Sequence, residues 1–591
     1  MYSAPLSDMR FCMETVVDEA QLKACPALAD YDAELRDSVL EEAARFAEQV
    51  MAPLYRGGDT EGAQWTPQGV RMPAGYQAAY TQFVAAGWGS LRARPEHGGQ
   101  GMPAILGTAV EEMWASSNLA FKLCPMLTQG AAEAIEHAGS EVQKRLFLSR
   151  MIRGEWSGTM NLTEPQAGSD LGLIRTRAVP DGTHYRIFGQ KIFITYGEQD
   201  LTENIIHLVL ARIEGAPAGT RGISLFIVPK FLVNDDGSLG PRNDVHCLSI
   251  EHKLGIHASP TCVMSYGQAG GAVGYLVGEA NRGLEYMFVM MNAARLSVGL
   301  EGYAVAERAF QQALAWARSR AQGRSPTGPG TATIVEHPDV RRMLLAMRSQ
   351  VEAMRALAMY AAGQLDLARH HSDPAVRAAA QSRVDLLIPI VKAHCTESGI
   401  ELASLGIQVH GGMGYVEETG AAQALRDVRI CTIYEGTTGI QAADLIGRKV
   451  GRDRGAALVD WLRQMRAEIA ALPTAEHTVK EIGDAARSAI ELLDTTSTYL
   501  IGELGANPSN LLSVSVPFLR MCGFVAGAWL LARQANIAAE RLVEGGDRVF
   551  FTGKLQSARF YALQVLPQAQ SYAAIVRHGA ASVAEADPAL L

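Results

Sequence analysis

The chain has 591 residues, of which 48% are apolar and 19% are charged, and its formal net charge is -9. Because a single hydrophobic core stops growing near roughly 250 to 300 residues, this length predicts three or four structural units. The apolar content excludes extended disorder. A negative chain without a long basic run is not expected to bind nucleic acid.

The eight cysteines are scattered without a CxxC pair, so the sequence indicates neither a metal site nor a disulfide framework. Residues 1–8 lack a basic region followed by an apolar stretch, so we predict no targeting peptide and a cytoplasmic location. The longest apolar stretch, residues 521–532, is shorter than the ~18 residues that cross a bilayer. We therefore do not expect an integral membrane protein.

Helical spacing dominates the first part of the chain, and short β-branched runs then predict strands at 184–194, 205–213 and 222–229. Helical spacing returns from residue 284, with polar breaks at 322–333 and 451–455. The fold class predicted is α+β, mainly α. The domains expected are helical over 1–155, β over 156–283, a helical bundle over 284–452 and a further helical region over 453–591.

Two motifs lie in the β region. The first, LTEPQAGSD at 162–170, combines Pro, small residues and hydroxyls in a turn that can receive an anion or a ring carbonyl, although an ordinary loop has the same composition. The second, QKIFIT at 190–195, alternates as a strand does, which places Phe193 and Thr195 on one face. A half-buried strand with nothing bound is the alternative.

Two further motifs lie in the helical bundle. QVHGGMGY at 408–415 has three glycines within four residues, which disfavours a helix and indicates a close backbone approach or a tight turn. Its spacing is not that of a dinucleotide-binding loop, and we interpret His410 as a structural neighbour. In IYEGTTGIQ at 433–441, Thr438 and Gln441 fit a capping box, which predicts a helix starting just after Glu435.

Glu435 follows an apolar run and precedes this predicted helix. Burial raises the pKa of a carboxyl group while a helix N-terminus lowers it, so the group can be held near neutral pH as a base. A glutamate that helps to cap the helix from solvent is the alternative. Arg295 shares the apolar face of its helix and needs a partner, unless its side chain extends along that face to solvent.

Together, in this order, the four motifs resemble the acyl-CoA dehydrogenase flavoprotein family. The chain is most similar to the long branch that contains 3-methylmercaptopropionyl-CoA dehydrogenases, on the opening residues and on GEANRGL at 278–284 through MNAARL at 291–296. The resemblance implies an N-terminal helical domain, a middle β-barrel, a C-terminal four-helix bundle and an extra helical region. It also implies FAD as cofactor.

Family positions imply that Glu435 is the catalytic base, and that Ser169, Arg295 and Gly436 bind substrate. Phe193 stands where the family often has tryptophan, and the residues after Arg320 depart from the family pattern. The positions that the resemblance assigns to FAD are Leu162, Thr163, Ser169, Phe193, Ile194, Thr195, Arg320, Gln408, Gly411, Gly412 and Thr437. Arg320 and the 408–412 element correspond to contacts with the FAD of a neighbouring subunit, which implies a homodimer or homotetramer.

The implied reaction is α,β-dehydrogenation of an acyl-CoA to its trans-2-enoyl-CoA within fatty acid β-oxidation, with electron-transferring flavoprotein as acceptor. Branch membership leaves 3-methylmercaptopropionyl-CoA and saturated acyl-CoAs open as substrates. An acyl-CoA oxidase that uses oxygen is one alternative, and a non-catalytic flavoprotein scaffold is another. Retention of Glu435 argues against the scaffold, because a scaffold needs no carboxylate there.

Overall fold

The computed structural model describes residues 2–326, 328–473, 476–505 and 508–590, and helices dominate it. The α-helices are Leu6–Val16, Glu19–Lys23, Ala33–Phe46, Leu54–Glu61, Tyr76–Ala85, Ala104–Ala138, Glu141–Gln143, Ser149–Arg153, Gly283–Ser319, Pro338–His370, Pro374–His410, Ala421–Val428, Thr438–Asp444, Ala456–Ala470, His477–Gly502, Pro508–Ser513, Ser515–Val543, Arg548–Phe560, Gln568–His578 and Ala580–Ala584. The predicted fold class, mainly α with a middle β domain, is confirmed.

The strands are concentrated in the middle of the chain. They are Gln64–Thr66, Gly69–Arg71, Trp156–Asn161, Arg177–Asp181, His184–Thr195, Asn204–Ile213, Ile223–Pro229, Phe231–Val233, Leu239–Arg242, Val245–Ile250, Thr261–Tyr266, Ala272–Val277, Ala321–Arg324 and Thr331–Thr333. The three predicted strands are confirmed to within two residues. The hairpin Gln64–Thr66/Gly69–Arg71 is a departure, because the first 155 residues are predicted to be helical.

Pairing of the middle strands closes a barrel. His184–Thr195 pairs with Ala272–Val277, which pairs with Ile223–Pro229, and that strand pairs with Asn204–Ile213. Arg177–Asp181 then joins Asn204–Ile213 back to His184–Thr195. The ring has no free edge among these strands, which is how a barrel avoids exposing unpaired backbone groups.

The chain divides into two compact units. The first, which we call the helical unit, contains Met1–Ala44, Pro103–Ser116 and Arg295–Leu591. The second, the mixed unit, contains Arg45–Met102 and Ser117–Ala294, and includes the barrel. The four-domain division of the sequence stays a prediction, since contacts alone group the first and last helices together.

The core of the mixed unit fills the barrel with aliphatic and aromatic side chains such as Ile187, Val209, Phe226 and Met264. In the helical unit, the helix Ser515–Val543 contains a long apolar stretch. Within the described residues, it is the single helix long and apolar enough to span a membrane, and 89% of its most apolar window is buried inside the protein. That burial is typical of a core helix.

Candidate active site

Glu435 lies in a tight turn between the 3-10 segment Arg429–Thr432 and the helix Thr438–Asp444. Its φ is 55° and that of Gly436 is 91°, so two successive residues have left-handed backbone conformations. The φ of Gly436 is one that other residues rarely adopt, and a Cβ there would lie 2.7 Å from the Gln441 Nε2, so the turn favours glycine. A glutamate with positive φ is uncommon and costs of order 1 kcal/mol or more, and such strain is concentrated at functional sites.

The charge environment of Glu435 suits a base. Burial raises the pKa of its carboxyl group to about 7, while the positive charges of Arg295 and Lys392 oppose that rise and the charge of Glu301 adds to it. The ordinary value is 4.5. A carboxyl group with a pKa near 7 is about half ionised at pH 7, and its ionised form binds a proton readily.

Lys392 is fully buried, with 0% of its surface exposed, on the helix Pro374–His410. Its Nζ donates to the carbonyl oxygen of Gly436 at 2.6 Å. Burial lowers its pKa to about 8, against the opposing attraction of Cys431, Glu435 and Glu301. Sequence reasoning missed this residue, although a single lysine after the apolar run 386–391 is a signal that would have found it.

Glu301 is a second carboxylate in the same region, and it is fully buried. It accepts a hydrogen bond from the Tyr434 hydroxyl and a weak one from Cys431 Sγ at 3.5 Å. Burial raises the pKa of both Tyr434 and Cys431 well above their ordinary values, so both stay protonated donors. The carboxylate beside the predicted base therefore has hydrogen-bond partners of its own.

Arg295 is 4% exposed, and its Nη1 lies 3.3 Å from Asp444 Oδ2. Asp444 Oδ1 in turn lies 2.6 Å from the Nε of Arg448. The predicted need for a partner is confirmed, and the alternative in which Arg295 extends to solvent is wrong, because the guanidinium remains inside. Asp444 and Arg448 had no distinguishing motif in the sequence.

The predicted helix after Glu435 is confirmed, but the predicted capping box is wrong in register. Thr437, not Thr438, is the N-cap, and its Oγ1 accepts from the Ile440 N–H at 3.3 Å. Thr438 instead donates to Glu397 at 2.5 Å. Gln441 donates from Nε2 to the Glu435 carbonyl at 3.1 Å, so its side chain braces the turn.

In the mixed unit, a buried ion pair organises the 162–170 loop. Lys191 Nζ lies 2.8 Å from Glu164 Oε1 and donates to the Leu162 carbonyl at 2.9 Å. Glu164 also accepts from the hydroxyl of Thr176 at 2.6 Å. Burial would raise the pKa of Glu164, but Lys191 and these donors hold it at about 2. The Ile192 N–H, donating to the Thr163 carbonyl at 2.9 Å, ties the loop to the strand.

The end of strand His184–Thr195 presents an aromatic ring to solvent. Phe193 is 59% exposed and has a φ of 59°, at an irregularity in the pairing with Thr261–Tyr266. This bulge, not simple alternation, sets the direction of the side chains, with Thr195 half-buried. Ile194 is buried in the barrel core, so a ligand would meet its backbone and not its side chain.

Three further predicted positions are exposed residues. Ser169 is exposed in the mixed unit, and Arg320 and Gln408 are exposed in the helical unit. A Cβ at Gly411 or Gly412 would meet no atom within 4 Å in this chain.

The helix that ends just before Arg320 lies against the helix that carries Gln408, because Trp316 stacks on His410 at 5.3 Å between ring centroids. The Nδ1 of His410 lies 2.7 Å from the Gly406 carbonyl oxygen. These contacts support the structural interpretation of His410.

Sequence models of known domains match most of the chain. They are the acyl-CoA dehydrogenase N-terminal domain over residues 34–155, the middle domain over 159–268 and the C-terminal domain over 281–450. An acetyl-CoA dehydrogenase C-terminal-like model matches residues 461–587. The chain belongs to the acyl-CoA dehydrogenase family. It is therefore an FAD-dependent oxidoreductase that dehydrogenates acyl-CoA thioesters.

Among the relatives of this acyl-CoA dehydrogenase, 3-methylmercaptopropionyl-CoA dehydrogenase from Ruegeria pomeroyi is 48% identical over 569 residues, covering 96% of both chains. A broad-specificity linear acyl-CoA dehydrogenase, FadE5 from Mycobacterium tuberculosis, is 36% identical, also over 96% of both. Caenorhabditis elegans ACDH-11, solved in complex with C11-CoA, superposes with a TM-score of 0.73 at 18% identity, covering 98% of this chain and 96% of that one.

The residues present fit FAD. The exposed Phe193 ring and the half-buried Thr163 and Thr195 offer one aromatic face with neighbouring hydroxyl and backbone donors, which is the donor set that a flavin ring needs. Glycines 411 and 412 leave open space where a bulky adenosine could approach the backbone.

Proposed function

We propose that Glu435 removes the α-proton of the acyl-CoA thioester. The observation that carries this proposal is the carboxyl group itself, held in a strained turn with a pKa of about 7. At neutral pH much of this group is ionised and ready to accept a proton. Arg295 and Lys392 keep it from becoming fully neutral, because their positive charges favour the ionised form.

The turn also offers a donor for the substrate. Among the described residues, no acceptor is paired with the backbone N–H of Glu435. This N–H is suited to donate to the thioester carbonyl, where negative charge develops as the α-proton leaves. Gly436, Arg295 and Ser169 are the other proposed substrate contacts. Bound FAD supplies the acceptor for the hydride from the β-carbon.

The mixed unit is proposed to hold the flavin. The proposed contacts are the loop residues Leu162, Thr163 and Ser169, the strand residues Phe193, Ile194 and Thr195, and Thr437 of the helical unit. Arg320, Gln408, Gly411 and Gly412 are proposed to contact the FAD of a second subunit in a homodimer or homotetramer. Their exposure supports this assignment.

For the substrate, we take 3-methylmercaptopropionyl-CoA as the first candidate, supported by 48% identity to a relative named for that reaction. Saturated acyl-CoAs of fatty acid β-oxidation are the second, supported by the broad-specificity relative. A panel of both, compared by kcat/KM with an artificial electron acceptor, decides between them. A clear preference for the thioether supports the first candidate, and equal or better rates with straight chains exclude it.

Electron-transferring flavoprotein is the proposed acceptor, and a cytoplasmic location is the proposed setting. Mixing the enzyme with acyl-CoA without oxygen and then admitting air distinguishes a dehydrogenase from an oxidase. Persistence of the reduced state in air, with rapid reoxidation when the flavoprotein is added, is the expected result. Reoxidation by air within seconds would favour the oxidase.

Replacement of the base tests the central assignment. Glu435→Gln keeps the shape and the backbone N–H but cannot accept a proton, so flavin reduction is expected to fall by ~10² to 10⁴ or more. Glu491→Gln, at an exposed position in the C-terminal region, is the matched control and should behave as wild type. Titration with a non-reducible acyl-CoA analogue separates lost chemistry from lost binding. Reduction within about tenfold of the wild-type rate would contradict the assignment.

A further inference from the structure

Three described elements converge on the turn that carries Glu435. The helix Pro374–His410 contributes Lys392, the helix Gly283–Ser319 contributes Arg295 and Glu301, and the helix Thr438–Asp444 contributes Gln441. Two of these side chains bind the backbone of the turn directly. Gln441 donates to the Glu435 carbonyl at 3.1 Å and Lys392 to the Gly436 carbonyl at 2.6 Å.

These two bonds fix consecutive carbonyl groups of a strained segment. With φ angles of 55° and 91°, residues 435 and 436 hold conformations that a free turn would leave easily. Each anchored carbonyl fixes the orientation of the peptide plane that it belongs to. Because the side chain of Glu435 projects from this backbone, anchoring the turn also fixes the direction in which the carboxyl group faces.

We propose that Lys392 is a positioning residue for the base: through its hydrogen bond to Gly436 and its charge, it holds the turn and the carboxylate of Glu435 ready for the α-proton. This proposal rests on the proposed role of Glu435. Lys392 does not touch the substrate; it acts on the base through the turn. Its length suits this role, because the ammonium reaches the turn from a different, fully buried helix position.

Burying an ammonium group costs more free energy than burying a neutral donor that makes the same hydrogen bond to a carbonyl. A buried charge must be compensated, and the same bond could come from a neutral amide such as the one Gln441 provides. The charge has a second consequence, since Lys392 lowers the pKa of Glu435. A neutral donor at this position would brace the turn without that effect on the protonation of the base.

The charged and titratable groups around this pair come from several elements. Glu435 faces Arg295, Lys392 and Glu301, and Lys392 also faces Cys431. On the other side of the helix, Arg520 is paired with Glu401 at 2.9 Å. Removing the charge of Lys392 leaves the opposing charges of Arg295 and Glu301 in place, so the carboxyl group should titrate at higher pH.

The test compares Lys392→Met with Lys392→Gln, which keeps a donor but not the charge. Lys480→Met, at an exposed position in the C-terminal region, is the matched control. Two readouts are measured in the FAD-loaded enzyme. One is the pH profile of flavin reduction. The other is the pH-difference infrared band of the protonated carboxyl group, assigned by its loss in Glu435→Gln, which reports the base without any turnover.

For Lys392→Met, reduction at pH 7 is expected to fall by about tenfold to a hundredfold, as for a small misplacement of a catalytic group. In both variants the infrared and kinetic midpoints should rise by roughly one unit or more, since a lost opposite charge is worth about that. FAD content and analogue binding should remain near wild type. Lys480→Met should move neither midpoint.

If the infrared and kinetic pH midpoints of both Lys392 variants equal those of the wild type, the proposal is wrong, whatever the stability of the variants. If Lys392→Met does not fold, the midpoint of Lys392→Gln decides the matter by the same criterion. Glu435→Gln separates this failure from failure of the proposed function. If Glu435→Gln abolishes reduction while the Lys392 variants keep wild-type midpoints, Glu435 remains the base and the positioning role is wrong.

Discussion

The carboxyl group of Glu435 is costly to ionise where it lies. Burial raises its pKa from 4.5 to about 7, and the strained turn adds a backbone cost. Both effects lower the stability of the folded state, as is expected where a protein holds a reactive group in place. Removal of the carboxyl group should therefore stabilise the fold under the conditions in which the unfolded chain would be ionised.

The sign of this effect can be predicted across pH. Below pH 4.5 the group is protonated in both states and contributes nothing. As pH rises from 4.5 to about 7 the unfolded state ionises first, so the wild type loses up to about 3 kcal/mol relative to Glu435→Gln. Thermal denaturation of the substrate-free enzyme should show Glu435→Gln more stable at pH 8 but not at pH 4. Equal differences at both values would contradict the raised pKa.

Arg295 gives a second prediction. Arg295→Ala removes the buried partner of Asp444. Asp444 then keeps Arg448, whose side chain is 58% exposed. Unfolding in urea should therefore show a free energy of unfolding lower by about 3 kcal/mol. Arg295→Lys keeps the charge and should lose less stability and less activity. Arg448→Ala is the control, with a smaller effect expected because the Arg448 side chain is 58% exposed and the buried Asp444 keeps Arg295. Wild-type behaviour of both Arg295 variants would show that the buried pair is dispensable.

Among the residues of the site, the sequence identifies those that belong to a motif or interrupt a hydrophobic pattern. Glu435 follows an apolar run, and Arg295 interrupts an apolar helical face, so both could be selected. Lys392 and Glu301 act from helices distant in sequence, and only tertiary packing brings them beside the turn. Local patterns contain no information on such convergence.

At the scale of elements, the loop 162–170 and the strand after it form one piece. Lys191, on the strand, bonds Glu164 at 2.8 Å and the Leu162 carbonyl at 2.9 Å. Burial lowers the pKa of Lys191 to about 8, and the neighbouring Glu164 opposes that fall. The loop proposed to contact the flavin is therefore held in part by a buried ion pair.

Lys191→Met should destabilise the protein by about 3 kcal/mol and lower its FAD content, because Glu164 is left buried without its counter-charge. The double variant Lys191→Met/Glu164→Gln should recover part of the stability, since no unpaired charge remains. Denaturant unfolding and the ratio of flavin to protein absorbance measure the two effects. Full FAD content in Lys191→Met would show that the pair does not hold the loop.

Strand positions and the helix after Glu435 follow from periodicity and were predictable. The bulge at Phe193 and the N-cap at Thr437 were not, because each depends on one residue of register. Alternation assigns Phe193 and Thr195 to one face, whereas the positive φ at Phe193 sets its direction independently. The capping-box pattern fits Thr438 with Gln441, whereas the hydrogen bond from the Ile440 N–H shows that Thr437 is the N-cap.

For the whole molecule, the order helical, β, helical follows from composition along the chain. Composition does not predict that Met1–Ala44 and Arg295–Leu591 belong to one unit, because this grouping depends on contacts between residues far apart in sequence. Lys554 binds Asp8 at 2.8 Å and Glu352 at 3.1 Å, which ties the N-terminal helix to the C-terminal region. From the sequence, residues 453–591 are predicted only as an additional helical region.

The proposed contacts across subunits predict that FAD binding and assembly are linked. Arg320→Ala should lower both FAD content and the fraction of oligomer, because one residue is proposed to serve the cofactor of its neighbour. Arg318→Ala, exposed one half-turn earlier, is the control. Light scattering during FAD titration measures the linkage. A monomer that binds FAD as tightly as the oligomer would exclude it.

The most direct measurement of the central claim follows the α-proton itself. In an acyl-CoA with sulfur in place of the β-carbon, no hydride can leave from that position, and proton removal is the step that remains. In D2O, nuclear magnetic resonance should show the wild type exchanging the α-protons of this analogue for deuterium. Glu435→Gln should bind the analogue without exchanging it. Exchange by Glu435→Gln at the wild-type rate would show that another group takes the proton.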